Sequence, residues 1–250
     1  MNSERSLKPG NQTFTAPNAT NGKLVSHQAI CLRTDKTGLQ HQLDIHWRIS
    51  NDGWFSGLLT YDGLKQNTMA VSVLSSHAIT LDPVGTLFLA CLHRASHAVY
   101  GESNRLVWLY DIHLLCQTLT PDNFCRFTEQ AKQHAMTKVC LDALEQSRSR
   151  FRTKIDESIF EVLQQGSSQP EPSARYLQAS HLTHFKCNLD ALPTLGDKLT
   201  YIIENLFPPQ SYMLSKYKTR NRLLLPLLYL HRFILGCKKQ ICRKKKEDSH

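Results

Sequence analysis

The chain changes its hydrophobic period near residue 82. Before that point Leu24–Arg33 and Leu39–Ile49 read as two strands of a β-hairpin around Asp35-Lys-Thr-Gly38, a turn sequence with glycine at its end. A hairpin of two strands is marginal in water and needs something to pack on. Residues 50–81 predict a short helical region and strand-like stretches at Ala70–Leu74 and Ala78–Leu81. From Asp82 the pattern becomes helical. Asp82 suits an N-cap and Pro83 the first helical position, where a missing N–H costs nothing. Val84, Leu87, Phe88, Cys91, Leu92, Ala95 and Val99 then repeat at helical spacing and define one buried stripe.

Gly101-Glu-Ser-Asn104 breaks that pattern as a helix–helix turn does. The next helix, Arg105 to Thr118, is apolar nearly all round, which places it inside the protein and predicts that Asp111 is at least partly buried. A buried carboxylate needs a partner, and His93, Arg94, His97 and Arg105 are the candidates. Thr120-Pro121 repeats the cap-then-proline start. Phe124, Phe127, Ala131, Ala135, Val139, Cys140 and Leu144 predict one long amphipathic helix. Ile155, Ile159, Val162 and Leu163 predict another, with Gly166 at its C′ position. Leu199, Ile202, Ile203 and Leu206 share a face that ends at Pro208-Pro209, and a last helix runs from Arg222 to about Ile241.

The expected organisation is a disordered tail over 1–22, a sheet region over 23–81, a helical domain over 82–165 and a Pro/Ser-rich linker over 166–174. C-terminal helices over 175–236 and a basic tail over 237–250 complete it. The fold class is α+β: a remnant mixed or antiparallel sheet followed by a mainly helical body. Eight cysteines without a Cys-x-x-Cys pair fit a reducing cytosol. Met1–Gly22 has no apolar signal region, and no segment is long and apolar enough to span a bilayer, so the expected location is cytoplasmic. The net charge is +9, and Lys216–Lys246 holds eleven Lys or Arg with no Asp or Glu. That segment could draw an anionic partner.

His93 and His97 stand four apart, the spacing that lets two imidazoles reach one zinc, with Asp111 or His113 as a third ligand. No Glu follows the first histidine, and no zinc is expected. The preferred reading is a hydrogen-bonded polar cluster of His93, His97, Arg105 and Asp111, with a share in substrate binding. Asp44-Ile-His46 places both polar side chains on one face of a strand.

His93-Arg-Ala-Ser-His97, Arg105-Leu-Val-Trp-Leu-Tyr-Asp-Ile112 and the earlier Leu43-Asp-Ile-His-Trp-Arg48 together resemble the motifs of an uncharacterised bacterial nucleotidyltransferase family in the DNA-polymerase-β-type superfamily. Leu206-Phe-Pro-Pro-Gln-Ser-Tyr-Met213 is similar to a further segment of that family, so the resemblance runs from about Leu24 to about Cys237. It implies transfer of a nucleotidyl group from a nucleoside triphosphate to an unknown acceptor, with Mg²⁺ as cofactor. It also implies Asp44 as the third metal carboxylate. The superfamily's Asp-x-Asp pair occurs nowhere in the chain, and Gly166-Ser-Ser168 sits in linker-like sequence with no carboxylate pair after it. One carboxylate does not assemble a two-metal site. The expectation is therefore a truncated member, inactive as given. The competing expectation is a non-catalytic interaction module that holds a protein, anionic lipid or nucleic acid through its helical body and basic tail.

Overall fold

The computed structural model describes residues 22–247 except 169 and 179, with side chains described as far as residue 236. The tail expected over 1–22 therefore lies, up to residue 21, outside the described residues, as do the side chains of the basic tail. In chain order the elements are β1 (Gln28–Thr34), β2 (Gln40–His46), α1 (Gly53–Ser56), α2 (Tyr61–Lys65), β3 (Thr68–Ala70) and β4 (Ile79–Leu81). The helices α3 (Pro83–Ser96), α4 (Leu106–Thr118), α5 (Pro121–Gln133), α6 (Thr137–Phe151) and α7 (Glu157–Gly166) follow. Last come α8 (His181–Asp190), α9 (Leu195–Leu206), α10 (Gln210–Lys216) and α11 (Leu225–Glu247). The class is α+β: two small antiparallel sheets, each of two strands, and a helical body. Two units divide the chain, one of residues 48–193 and one of residues 1–47 with 194–250.

Unit 48–193 is built around α3. Asp82 caps it, its Oδ1 accepting from Gly85 N at 2.7 Å, and Pro83 opens the first turn. All seven residues of the predicted stripe are buried, and α4, α5 and α6 pack around them. Leu109, Ile112 and Cys116 of α4 and Phe127, Val139, Cys140 and Leu144 of α5 and α6 complete the core. Arg94 is buried among them at 2 % exposure. Its Nη1 donates to Asp142 Oδ2 at 2.5 Å and its Nη2 to Asn104 Oδ1 at 2.8 Å, so one guanidinium ties α3 to α6 and to the turn before α4.

Three expectations need correction. The long helix over Phe124–Leu144 is two helices: Ala135 adopts φ 48°, a left-handed conformation that ends α5 before α6 begins. The apolar repeat runs across the break because both helices face the same core. Gly166 is the last residue of α7 rather than its left-handed C′ residue. Its lack of a side chain serves packing, since a Cβ there would stand 2.8 Å from Thr137 Cγ2. Third, Asp111 is exposed. Helix α4 buries one face only, leaving Leu106, Val107, Tyr110 and Leu114 in contact with solvent. Asp111 lies on that open side and makes no ion pair among the described residues.

The stretch after α7 is tied down. Glu171 accepts from the backbone N–H groups of Thr137 (2.9 Å) and Lys138 (2.8 Å), satisfying two donors at the start of α6. A short 3₁₀ turn at Pro172–Tyr176 leads towards α8. There Tyr176 donates to Asn188 Oδ1 at 2.8 Å, and the same oxygen accepts from Gly53 N at 2.8 Å.

In the other unit, Asp35 shapes the turn between β1 and β2. Its Oδ1 accepts from Thr37 N and Leu39 N, and its Oδ2 meets His41 Nε2 at 2.8 Å. The Thr37 hydroxyl and then His41 hold this carboxyl well below the usual range. Glu204 of α9 accepts from Lys23 N and Leu24 N, each at 2.9 Å, anchoring the start of the hairpin. The six described cysteines are free; Cys125 is exposed and the other five are buried. Burial pushes the Cys140 thiol far up, with Cys91 beside it, and burial raises Cys116 as well.

Asp142→Ala should destabilise unit 48–193 by about 2–3 kcal/mol in urea titration. That is less than the ~3–5 kcal/mol of a fully buried pair, because the carboxylate keeps part of its hydration. The double variant Arg94→Met/Asp142→Leu should regain most of the loss. Of these six thiols, a thiol reagent should label Cys125 in the native protein and reach Cys91, Cys116 and Cys140 only on unfolding.

Candidate functional site

The end of α3 and the start of α4 bring together one aromatic and cationic group. Residues 93 and 97 share a helix face, and their rings lie 4.6 Å apart between centroids. Trp108, one turn into α4, packs against both, edge-on to His93 at 5.1 Å and tilted against His97 at 4.6 Å. Arg105, the residue before α4, lays its guanidinium over the Trp108 ring at 5.0 Å. Gly101 at φ 72° lets the chain reverse between the two helices. Glu102 in that turn faces both cation and imidazole, with Oε2 at 3.7 Å from Arg105 Nη1 and 3.8 Å from His97 Nδ1.

His97 sits in a perturbing environment. Burial lowers its pKa from the ordinary 6.5; Glu102 and Asp52 oppose the shift and Arg105 reinforces it. The imidazole is therefore neutral at neutral pH. Its Nδ1 is buried with no hydrogen-bond partner among the described residues, Glu102 being too distant. A buried nitrogen without a partner is costly unless something supplies one. Tyr100, in the 3₁₀ turn after α3, lies 5.8 Å from the rings of both His97 and His181. Burial raises its pKa, and Asp52 and Glu102 raise it further.

Asp52 comes from the N-cap of α1, and its Oδ1 lies 2.8 Å from His184 Nε2 in a pair whose side chains are almost wholly buried. His181 and His184 both belong to the first turn of α8. The site thus draws on four helix ends of one unit: α1, α3, α4 and α8.

Of the predicted cluster, His93, His97 and Arg105 come together, and Asp111 does not join them. Its polar partners were misassigned too: Arg94 pairs with Asp142, and the carboxylates acting on His97 are Glu102 and Asp52. Trp108, Tyr100, Asp52, His181 and His184 escaped the sequence reading. Trp108 was counted as core because α4 looks apolar throughout, and the distant His181-x-x-His184 gave no local sign that it returns to α3.

Asp44 lies in the other unit, on the open face of β2 opposite Ile30. Its Oδ2 is 3.2 Å from His46 Nε2, with both side chains partly exposed, so the i, i+2 pairing on a strand is present. As a donor set this is one carboxylate and one imidazole. Two Mg²⁺ ions demand several hard oxygen ligands, so this pair does not fit a two-metal centre. Among the described residues no three His, Cys, Asp or Glu side chains converge as a metal site, at His93 and His97 included.

A cleft of about 700 Å³ opens elsewhere in unit 48–193, lined among others by Leu58, Leu64, Asp82, Arg126, Gln130 and His134. It contains none of the candidate site residues Asp44, His93, His97, Arg105 and Asp111. Arg126 closes on Asp82 at 2.7 Å at its rim, an ion pair already satisfied within the fold.

No helix of the described residues is long and apolar enough to cross a membrane. No curated protein and no solved structure matches the chain. A sequence profile described as uncharacterised nucleotidyltransferase matches residues 14–152. That span holds the β1–β2 hairpin with Asp44, the α3–α4 pair with His93, His97, Arg105 and Trp108, and ends where Arg152 closes α6 in a left-handed conformation. The match covers more than half of the 250 residues, and on that ground the chain belongs to the uncharacterised nucleotidyltransferase family.

Proposed function

We propose that this protein serves transfer of a nucleotidyl group from a nucleoside triphosphate to an acceptor, and that the α3–α4 cluster is its nucleotide-facing wall. The observation that carries the reading is the family match over residues 14–152, which includes both Asp44 and that cluster. The chemistry of the cluster supports it. Arg105 stacked on Trp108 offers a cation for a phosphate and an aromatic face for a base, and neutral His97 keeps a buried Nδ1 without a hydrogen-bond partner among the described residues. His93 packs edge-on against Trp108.

Asp44 is the one carboxylate that this chain offers at the family's third metal-ligand position, with Mg²⁺ the cation its hard oxygens would suit. The 250 residues contain no Asp-x-Asp, so we take the chain by itself to be inactive in transfer. Purified chain incubated with labelled nucleoside triphosphate and Mg²⁺ should label no acceptor. Labelling that disappears on Asp44→Ala would overturn the inactivity while upholding the role of Asp44.

Nucleotide binding is separable from transfer. Trp108→Ala and Arg105→Ala should each weaken ATP binding about tenfold in titration calorimetry, the value of one cation–π or charge-assisted contact. Equal affinity in wild type and both variants contradicts the assignment.

His97 also couples the cluster to pH. Its folded pKa lies below 6.5, so its contribution to stability is complete above the unfolded value and is lost as pH falls through the folded one. The urea midpoint of unit 48–193 should therefore fall as the pH is taken from neutral to below 6.5. His97→Gln should flatten that dependence, and an unchanged profile would contradict the neutral buried imidazole.

A further inference from the structure

Helix α11 leaves more apolar surface in water than a surface helix ordinarily does. A surface helix of a water-soluble protein buries its apolar stripe and shows its polar face. Here the inward side takes only part of the apolar surface: Leu225 is buried and Leu228 half-buried, beside Tyr229 and Arg232. Tyr229 donates its hydroxyl to Pro208 O at 2.6 Å, and Arg232 donates to Asn205 O at 3.4 Å while approaching the Tyr212 ring. The outward side carries Leu223 at the entry to the helix, then Leu227, Leu230 and Ile234, at spacings of four, three and four that form one stripe. Phe233 flanks it. All five are exposed, Leu227 at 63 % and Phe233 at 60 %.

The sequence around this face is basic. Between Lys216 and Lys246 the chain holds eleven Lys or Arg and no Asp or Glu, and the helix runs on through the basic residues to Glu247. We infer that α11 docks, apolar face down, on an anionic lipid surface.

The two features together select this occupant. A second copy of the chain would bring two like-charged segments together, with no acidic residue between 216 and 246 to offset them. A nucleic acid would satisfy the cations, yet its phosphates give four aliphatic side chains and a phenylalanine nothing to bury against. A bilayer interface answers both at once: the acyl boundary takes the apolar stripe and acidic headgroups take the cations. The helix would lie in the interface, since no helix of the described residues is long and apolar enough to span it. This inference is independent of nucleotide transfer, and its residues are not part of the α3–α4 cluster.

The test is co-sedimentation of the full chain with vesicles of phosphatidylcholine alone or with about a third phosphatidylserine, at low and high salt. The expected result is binding to the anionic vesicles, weakened by salt. It should fall at least about tenfold in Leu227→Glu/Leu230→Glu, whose altered side chains are exposed and should leave the circular dichroism unchanged. A Phe233→Trp variant should shift its emission to the blue on anionic vesicles and be quenched by brominated acyl chains. Undiminished vesicle binding by the double variant overturns the inference. So does binding of single-stranded DNA without vesicle binding. A self-association abolished by Leu227→Glu/Leu230→Glu, again without vesicle binding, does the same.

Discussion

Helix α3 is the element that the larger unit is organised around, and Arg94 is the constraint it imposes. The stripe from Val84 to Val99 makes α3 the common neighbour of α4, α5 and α6, so its burial supplies most of the reason for those helices to gather. A guanidinium within that stripe cannot be left unpaired at 2 % exposure. Asp142 and Asn104 meet it, and in doing so they fix the rotation of α6 and the course of the α3–α4 turn. The position of Glu102, Arg105 and Trp108 over His97 follows from that turn. The polar group that stabilises the fold and the cluster assigned to nucleotide contact are thus adjacent results of one helix, with Arg94 facing in and His93 and His97 facing the rim.

What could be read from the sequence was whatever depended on local period and local chemistry. Asp82-Pro83 and Thr120-Pro121 mark true helix starts because a cap and a proline act within one turn. The α3 stripe is visible because an amphipathic helix repeats its apolar residues in register with its own geometry. The hairpin at Asp35 is visible because an Asp/Gly turn chemistry closes it. The α5–α6 break was not visible, since Ala135 in a left-handed conformation carries no signature and the apolar positions continue on both sides of it. Gly166 misled for the opposite reason: a glycine required by close packing against Thr137 looks in sequence like one required by a positive φ.

The candidate site shows the same division. His93, His97 and Arg105 could be grouped because they lie within a dozen residues across one turn. Asp52, His181 and His184 come from segments far apart in sequence, and nothing short of the fold brings them to α3. Asp111 was misplaced because hydrophobicity alone made α4 look buried all round. Its outward Leu106, Val107, Tyr110 and Leu114 are instead exposed, so composition stated what the helix is made of without stating how much of it the fold covers. A similar excess of exposed apolar residues on α11 acquires meaning only from the basic sequence around it.

The central claim is that the family's nucleotide-facing wall in this chain is the α3–α4 cluster. Backbone hydrogen exchange of the full chain with and without ATP tests it most directly. The account predicts slowed exchange confined to the segment from His93 to Trp108 and to the first turn of α8. Protection absent there and present instead around Leu58–Leu64 and Arg126–His134, the walls of the separate cleft, would contradict it.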